Sequence, residues 1–379
     1  MVIGVVVFLW VALGCEKKND PAPNAISGKL WVWGANRFGQ MGNGSIEDLN
    51  SPGQVLPEKN WKVISVSYEN IVGIQDDGTI WAWGFNNMGQ LGDGTTDQRT
   101  TPVQVGSDKD WITVVASGYT TFAIKSDSSL WAWGANDRGQ LGDGTIEPKS
   151  VPIPIVTDKK WAQVSAATRF TLALTTRGEL WAWGGNDDGE LGNGTLTDNG
   201  TPARIGTDTD WKYLTNGGYN VTALKKNGTL WAWGNNAWGQ IGTGGISYQP
   251  TLSPKQISLE KTWMEIASGE FHTLALKTDG TLWAWGSNNY GALGLDASKF
   301  SPTQVGAASD WAHVSAGDSF SLGLKKDGSA WGWGLNGHGQ LGDKVPFGDA
   351  VYEPAAMPTG GPWKMILTGS GSMSVAALK

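Results

Sequence analysis

The residues able to support acid–base, nucleophilic or metal chemistry are few and far apart. Histidine occurs only at His272, His313 and His338 and cysteine only at Cys15. That scatter supplies neither the clustered ligands of a zinc site nor an internal disulfide. Asp77, Asp93, Asp143, Asp279 and Asp327 each precede a glycine, but none shows the dense acidic spacing of a calcium loop. Runs such as Gly-Gln-Leu-Gly lack the Gly-Lys-Ser/Thr and following helix of a phosphate loop, so turn formation explains them. No Gly-x-Ser-x-Gly, His-Glu-x-x-His or Cys-His pairing is present. The expectation is a protein without enzymatic activity, cofactor or metal. The chemistry left to it is recognition by aromatic and arginine side chains.

The elements that would carry such side chains are repeats. Trp-x-Trp-Gly begins at Trp31, Trp81, Trp131, Trp181, Trp231, Trp283 and Trp331, at intervals of 50, 50, 50, 50, 52 and 48 residues, with a lone Trp (Trp61, Trp111, Trp161, Trp211, Trp263, Trp311, Trp363) midway through each unit. These account for 21 of the 23 tryptophans, leaving Trp10 and Trp238 outside the pattern. Thr121–Lys125 and Leu130–Gly134 alternate large and small residues with the period of a strand. The Asp-Gly, Arg-Gly or Asn-Gly between such segments marks an antiparallel hairpin. An Asn-x-x-Gly-Gln-Leu-Gly-Asp-Gly-Thr loop, a Thr/Ser-Pro strand and the strand at the lone Trp complete about four strands per unit.

Apolar residues on both hairpin faces imply that each sheet lies between two others, which predicts an all-β, seven-bladed propeller of four-stranded antiparallel blades. The Trp side should fill the gap between blades and the Ala or Gly side admit the next blade. The first copy lacks its hairpin partner, and Ser374–Lys379 is a partner strand without its Trp-x-Trp-Gly. The N- and C-terminal strands should therefore pair and close the ring, leaving no free edge. The propeller is expected over 28–379, with repeats near 31–80, 81–130, 131–180, 181–230, 231–282, 283–330 and 331–379.

Trp81–Thr95, Trp131–Thr145 and Gly269–Leu276 resemble the repeats of the regulator of chromosome condensation family, and the resemblance extends over 28–379. It implies a seven-bladed propeller, a fold that hosts many functions. Two activities known in the family are alternatives here: guanine-nucleotide exchange on a small GTPase, and ultraviolet sensing by clustered tryptophans. Exchange uses a protruding hairpin, for which repeats of 48 to 52 residues leave no room. Ultraviolet sensing uses tryptophan in loops that here read Gly118-Tyr119-Thr120 and Glu270-Phe271-His272.

The apolar run Val2–Leu13 is too short to span a bilayer and reads as the core of a signal peptide over 1–15, followed by a polar linker over 16–27. Ala12-Leu13-Gly14-Cys15 resembles the lipobox of bacterial lipoproteins, which implies a lipid anchor at Cys15. The alternative is a signal peptide without lipid, or an uncleaved stub. Either way the expected location is outside the cytoplasm: cell envelope if lipidated, otherwise periplasm or medium.

Two loop positions vary while their neighbours repeat. The second x of Asn-x-x-Gly is Phe38, Met88, Arg138, Asp188, Trp238, Tyr290 and His338. The position leading into the hairpin's first strand is Glu69, Tyr119, Arg169, Tyr219, Phe271, Ser319 and Met373. Antiparallel pairing places both on one face of the disk, opposite the Asp-Gly turns. Idle surface drift would favour small polar residues, whereas these sets are rich in Tyr, Trp, Phe and Arg, the side chains of binding hot spots. They form the candidate partner-binding face, for a protein or glycan. Nucleic acid is not expected, since 35 acidic against 28 basic residues give a net charge of −7. The repeated Asn (Asn36, Asn86, Asn136, Asn186, Asn236, Asn288, Asn336) reads as a loop brace.

Overall fold

The computed structural model describes residues 26–342, 345, 348–357 and 360–379; the signal-like run and Cys15 lie outside them. The strands form seven four-stranded antiparallel sheets, the propeller expected from the repeats. Blades are numbered here by their Trp-x-Trp-Gly copy. In blade 3 the order outward from the centre is Trp111–Ser117, Thr120–Lys125, Leu130–Gly134 and Lys149–Pro154. Each sequence repeat thus supplies the two outer strands of one blade and the two inner strands of the next.

That offset leaves blade 1 to be assembled from both ends of the chain. Leu30–Gly34 pairs with Ser374–Leu378 in unbroken register, Leu30 opposite Leu378 and Gly34 opposite Ser374. Leu49–Val55 and Met365–Leu367 flank the pair to complete the sheet.

The two faces of Trp-x-Trp-Gly divide as their alternation requires. Trp133 is fully buried and packs on Val72, Ala82, Leu91 and Val105 of blade 2. Ala132 faces the other way and meets Trp161 and Trp183 of blade 4. Every second Trp also donates its indole N–H to a backbone carbonyl of the preceding blade: Trp83 to Gln40 (2.8 Å), Trp133 to Gln90 (2.9 Å) and, across the ring closure, Trp33 to Gln340 (2.9 Å). This bond satisfies the only polar atom of a side chain that otherwise adds apolar contact.

The first Trp of the motif and the lone Trp meet edge to face near the hairpin turns. Trp111 and Trp131 stand 5.7 Å apart, and Lys125 Nζ lies 4.7 Å from each ring centroid while pairing with Asp108 at 2.5 Å. Lys225, Lys277, Lys325 and Lys379 take the same place in their blades. The repeated tryptophans are therefore packing residues, as their periodicity suggests, and in these five blades a cation–π contact fixes the end of the pair.

Candidate functional site

The two variable sets sit on the face opposite the hairpin turns, on loops that the repeated residues hold rigid. At the end of the third strand Gly134 has φ +103°, and a Cβ there would collide with the Tyr119 carbonyl oxygen. Only glycine lets the two loops meet so closely. Asn136 then ties the following loop together. Its Nδ2 donates to the carbonyls of Thr145 (3.1 Å) and Glu147 (3.2 Å), and its Oδ1 accepts the Leu141 amide at 3.0 Å. The other six copies brace their loops in the same way.

The Gln of Gly-Gln-Leu-Gly adds a second brace, aimed at the variable residue itself. Gln140 Oε1 accepts the Arg138 amide at 2.8 Å, and Gln40, Gln90, Gln240 and Gln340 do the same for Phe38, Met88, Trp238 and His338. In blade 4 the brace is Glu190, whose carboxylate accepts the Asp188 amide at 2.8 Å; burial pushes its carboxyl up to about 7. The same Gln or Glu backbone carbonyl receives the indole N–H of the next blade. A fixed framework therefore presents side chains that differ from blade to blade.

Contacts join residues of the first set to loop residues of the next blade. Trp238 of blade 5 meets Phe271 of blade 6, ring centroids 5.6 Å apart. Arg138 of blade 3 bonds Asp187 and, at 2.7 Å, Asp198 of blade 4, while Arg169 of blade 4 lies 3.5 Å from the same Asp187. The two arginines thus share one carboxylate. His338 Nδ1 reaches Asp48 of blade 1 at 2.7 Å.

Met88, Arg169, Tyr219, Trp238 and Tyr290 are exposed, and Tyr290 is held out on a left-handed backbone (φ 57°). Phe38, Arg138, Asp188, His338, Tyr119, Phe271, Ser319 and Met373 are half-buried. Glu69 differs from its set in being only 9% exposed.

Several residues of this face escape a comparison limited to the two positions. Phe85 follows Trp-x-Trp-Gly where most copies have a small residue, and its ring lies 4.6 Å from Phe38 and 6.0 Å from Tyr119. That departure from the repeat was visible in the sequence. Glu270 and Asp318 stand side by side on neighbouring lead-in loops; burial, together with the Asp318 carboxyl, pushes Glu270 up to about 7. Nothing in the sequence announces their meeting.

The histidines go to separate places. His272 is buried, with Nε2 2.9 Å from Ser321 Oγ, and burial depresses it to about 4. His313 pairs with Glu265 at 2.5 Å in the central channel, a cavity of about 360 Å³ lined by the inner strands. The Glu265 carboxylate also accepts the Val314 amide at 3.2 Å. Gln163 spans two inner strands likewise, donating to the Leu214 carbonyl at 2.9 Å and accepting its amide at 3.1 Å. These side chains tie neighbouring blades together around the channel.

A closed ring of seven four-stranded blades with braced loops on one face defines the class of protein as a seven-bladed propeller. The sequence matches the RCC1-like domain family over residues 29–377, and the chain belongs to that family. Among solved structures it is similar to Prp20p of Saccharomyces cerevisiae, at 20% identity over 92% of this chain and 91% of that one with a TM-score of 0.81. That protein is described with its binding to Gsp1p and histones. Yeast RCC1 (Prp20) with Kap60 bound superposes at 19% identity over 94% of this chain and 90% of that one, TM-score 0.84. Human WBSCR16 does so at 20% identity over 93% and 98%, TM-score 0.82. At these identities the likeness shows the shared fold. No curated protein matches the sequence.

Proposed function

We propose that this protein is an exported, non-enzymatic recognition module that binds a protein partner through the loop face. The observation that carries the reading is the contrast within each loop. An Asn brace holds the loop of every blade, joined by Gln in five blades and by Glu190 in blade 4, while the residues on these loops and on the facing lead-in loops include exposed Tyr219, Trp238 and Tyr290. Rigid aromatic side chains on a fixed backbone lose little entropy on binding, the property that favours hot spots. Prp20p supports binding of proteins by a propeller of this kind in general terms.

Affinity capture from envelope extract and culture medium tests this directly, comparing residues 20–379 with the same chain carrying Tyr119→Ser, Tyr219→Ser and Trp238→Ser. The expected result is a partner retained by the first and lost by the second, with the thermal midpoint nearly unchanged. Retention by both, or a large fall in midpoint, would make these packing residues or idle surface.

Export rests on the apolar run Val2–Leu13 and on Cys15. Cys15→Ser is expected to move the protein from the membrane fraction to the soluble fraction. Unchanged fractionation would refute the lipid anchor.

A further inference from the structure

Glu69 is out of keeping with its surroundings. It is only 9% exposed, and its Oε2 has no hydrogen-bond partner among the described residues. A buried carboxylate without a partner is strongly disfavoured unless it is protonated or meets a cation. Around it stand aromatic rings. The Phe85 amide donates to the Glu69 carbonyl at 2.9 Å, which fixes Phe85 beside it, and Phe85 lies between Phe38 (4.6 Å) and Tyr119 (6.0 Å). The Arg37 guanidinium rests 5.4 Å over the Phe38 ring on the exposed side. Burial raises the Glu69 carboxyl, with Arg37 opposing, and burial first, then the Glu69 charge, raises both Tyr68 and Tyr119. Tyr68 feels Glu270 and Asp318 as well, so the local field on this side of the face is negative. A carboxylate without a hydrogen-bond partner beside a cluster of aromatic rings is a combination suited to an organic cation, since the rings offer their negative faces and the carboxylate supplies the counter-charge.

We propose that Glu69, Phe85 and Tyr119 form a cage that takes a lysine or arginine side chain of the protein bound on the loop face. The proposal rests on the reading of that face as the binding surface, and it adds the anchor.

The test uses the full chain with 13C-labelled glutamate carboxyls, titrated with n-butylammonium, n-propylguanidinium and n-butanol. The expected result is a saturable shift of the Glu69 resonance with the cations and none with butanol; the tighter cation identifies the side chain. Phe85→Ala should weaken binding at least fivefold. Glu69→Gln, followed through the Tyr119 ring protons, should abolish it. An unsaturable response, an equal response to butanol, or binding that survives Glu69→Gln would overturn the cage. Any of these results would do so even if the Tyr119/Tyr219/Trp238 variant loses its partner in capture, in which case the loop face stands and only the cage falls.

Discussion

Trp133→Ala is expected to lower the unfolding free energy by about 3 to 5 kcal/mol, the range for truncating a buried large aromatic. Trp133 is fully buried between blades 2 and 3, where Val72, Leu91 and Val105 on one side and Trp111 on the other are held by separate sheets. Sheets fixed at both ends cannot collapse into the space the indole leaves. The Gln90 carbonyl would lose the indole donor but keep the Thr121 hydroxyl at 2.8 Å, so the penalty comes mainly from the cavity. Trp131 provides the comparison. It is half-buried, with its indole N–H on the Ser129 hydroxyl at 3.1 Å, and Trp131→Ala should cost less than half as much. Denaturant unfolding of the two variants checks both figures. A change below about 1 kcal/mol for Trp133→Ala would contradict stacking of blades through this residue.

The second large effect concerns ring closure. Ending the chain after Met373 removes Ser374–Lys379, and the expected result is loss of the cooperative fold with aggregation. Val375, Ala376, Ala377 and Leu378 are all buried, and their strand lies between Leu30–Gly34 and Met365–Leu367. Without it both neighbours present unpaired backbone, and an exposed apolar edge is a template for association. Trp33 and Phe320 would also be uncovered, since both belong to the cluster that Val375 and Ala377 fill. Near-ultraviolet circular dichroism and size exclusion read the outcome. A soluble monomer with a native tryptophan spectrum would mean that six blades suffice and closure is incidental.

The repeats made the ring legible because each strand serves the same packing role in every copy. Tryptophan at two fixed positions and small residues between them describe an interface that recurs, so spacing alone announces it. The Asn brace was legible for the same reason. What the sequence concealed are contacts that differ between blades. Arg138 and Arg169 look like free cations among the variable positions, yet Asp187 of blade 4 lies within reach of both. Glu69 looks like an exposed member of its set but is only 9% exposed. Glu265 with His313, and Glu270 with Asp318, are about 50 residues apart in sequence and meet only because the ring brings equivalent positions side by side. Blade 3 also departs locally: Ser128 takes the positive φ (67°) that glycine supplies in most of the other hairpins.

Stability resides in the stacked blades, and the proposed recognition would use the braced loops. The most direct test of that division is hydrogen exchange of the protein alone and with its captured partner bound. The predicted result is new protection confined to the lead-in loops and the loops after Trp-x-Trp-Gly, including those of Tyr119, Tyr219 and Trp238. Protection at the hairpin turns near Gly78, Gly178 and Gly228, or along the outermost strands, would contradict it.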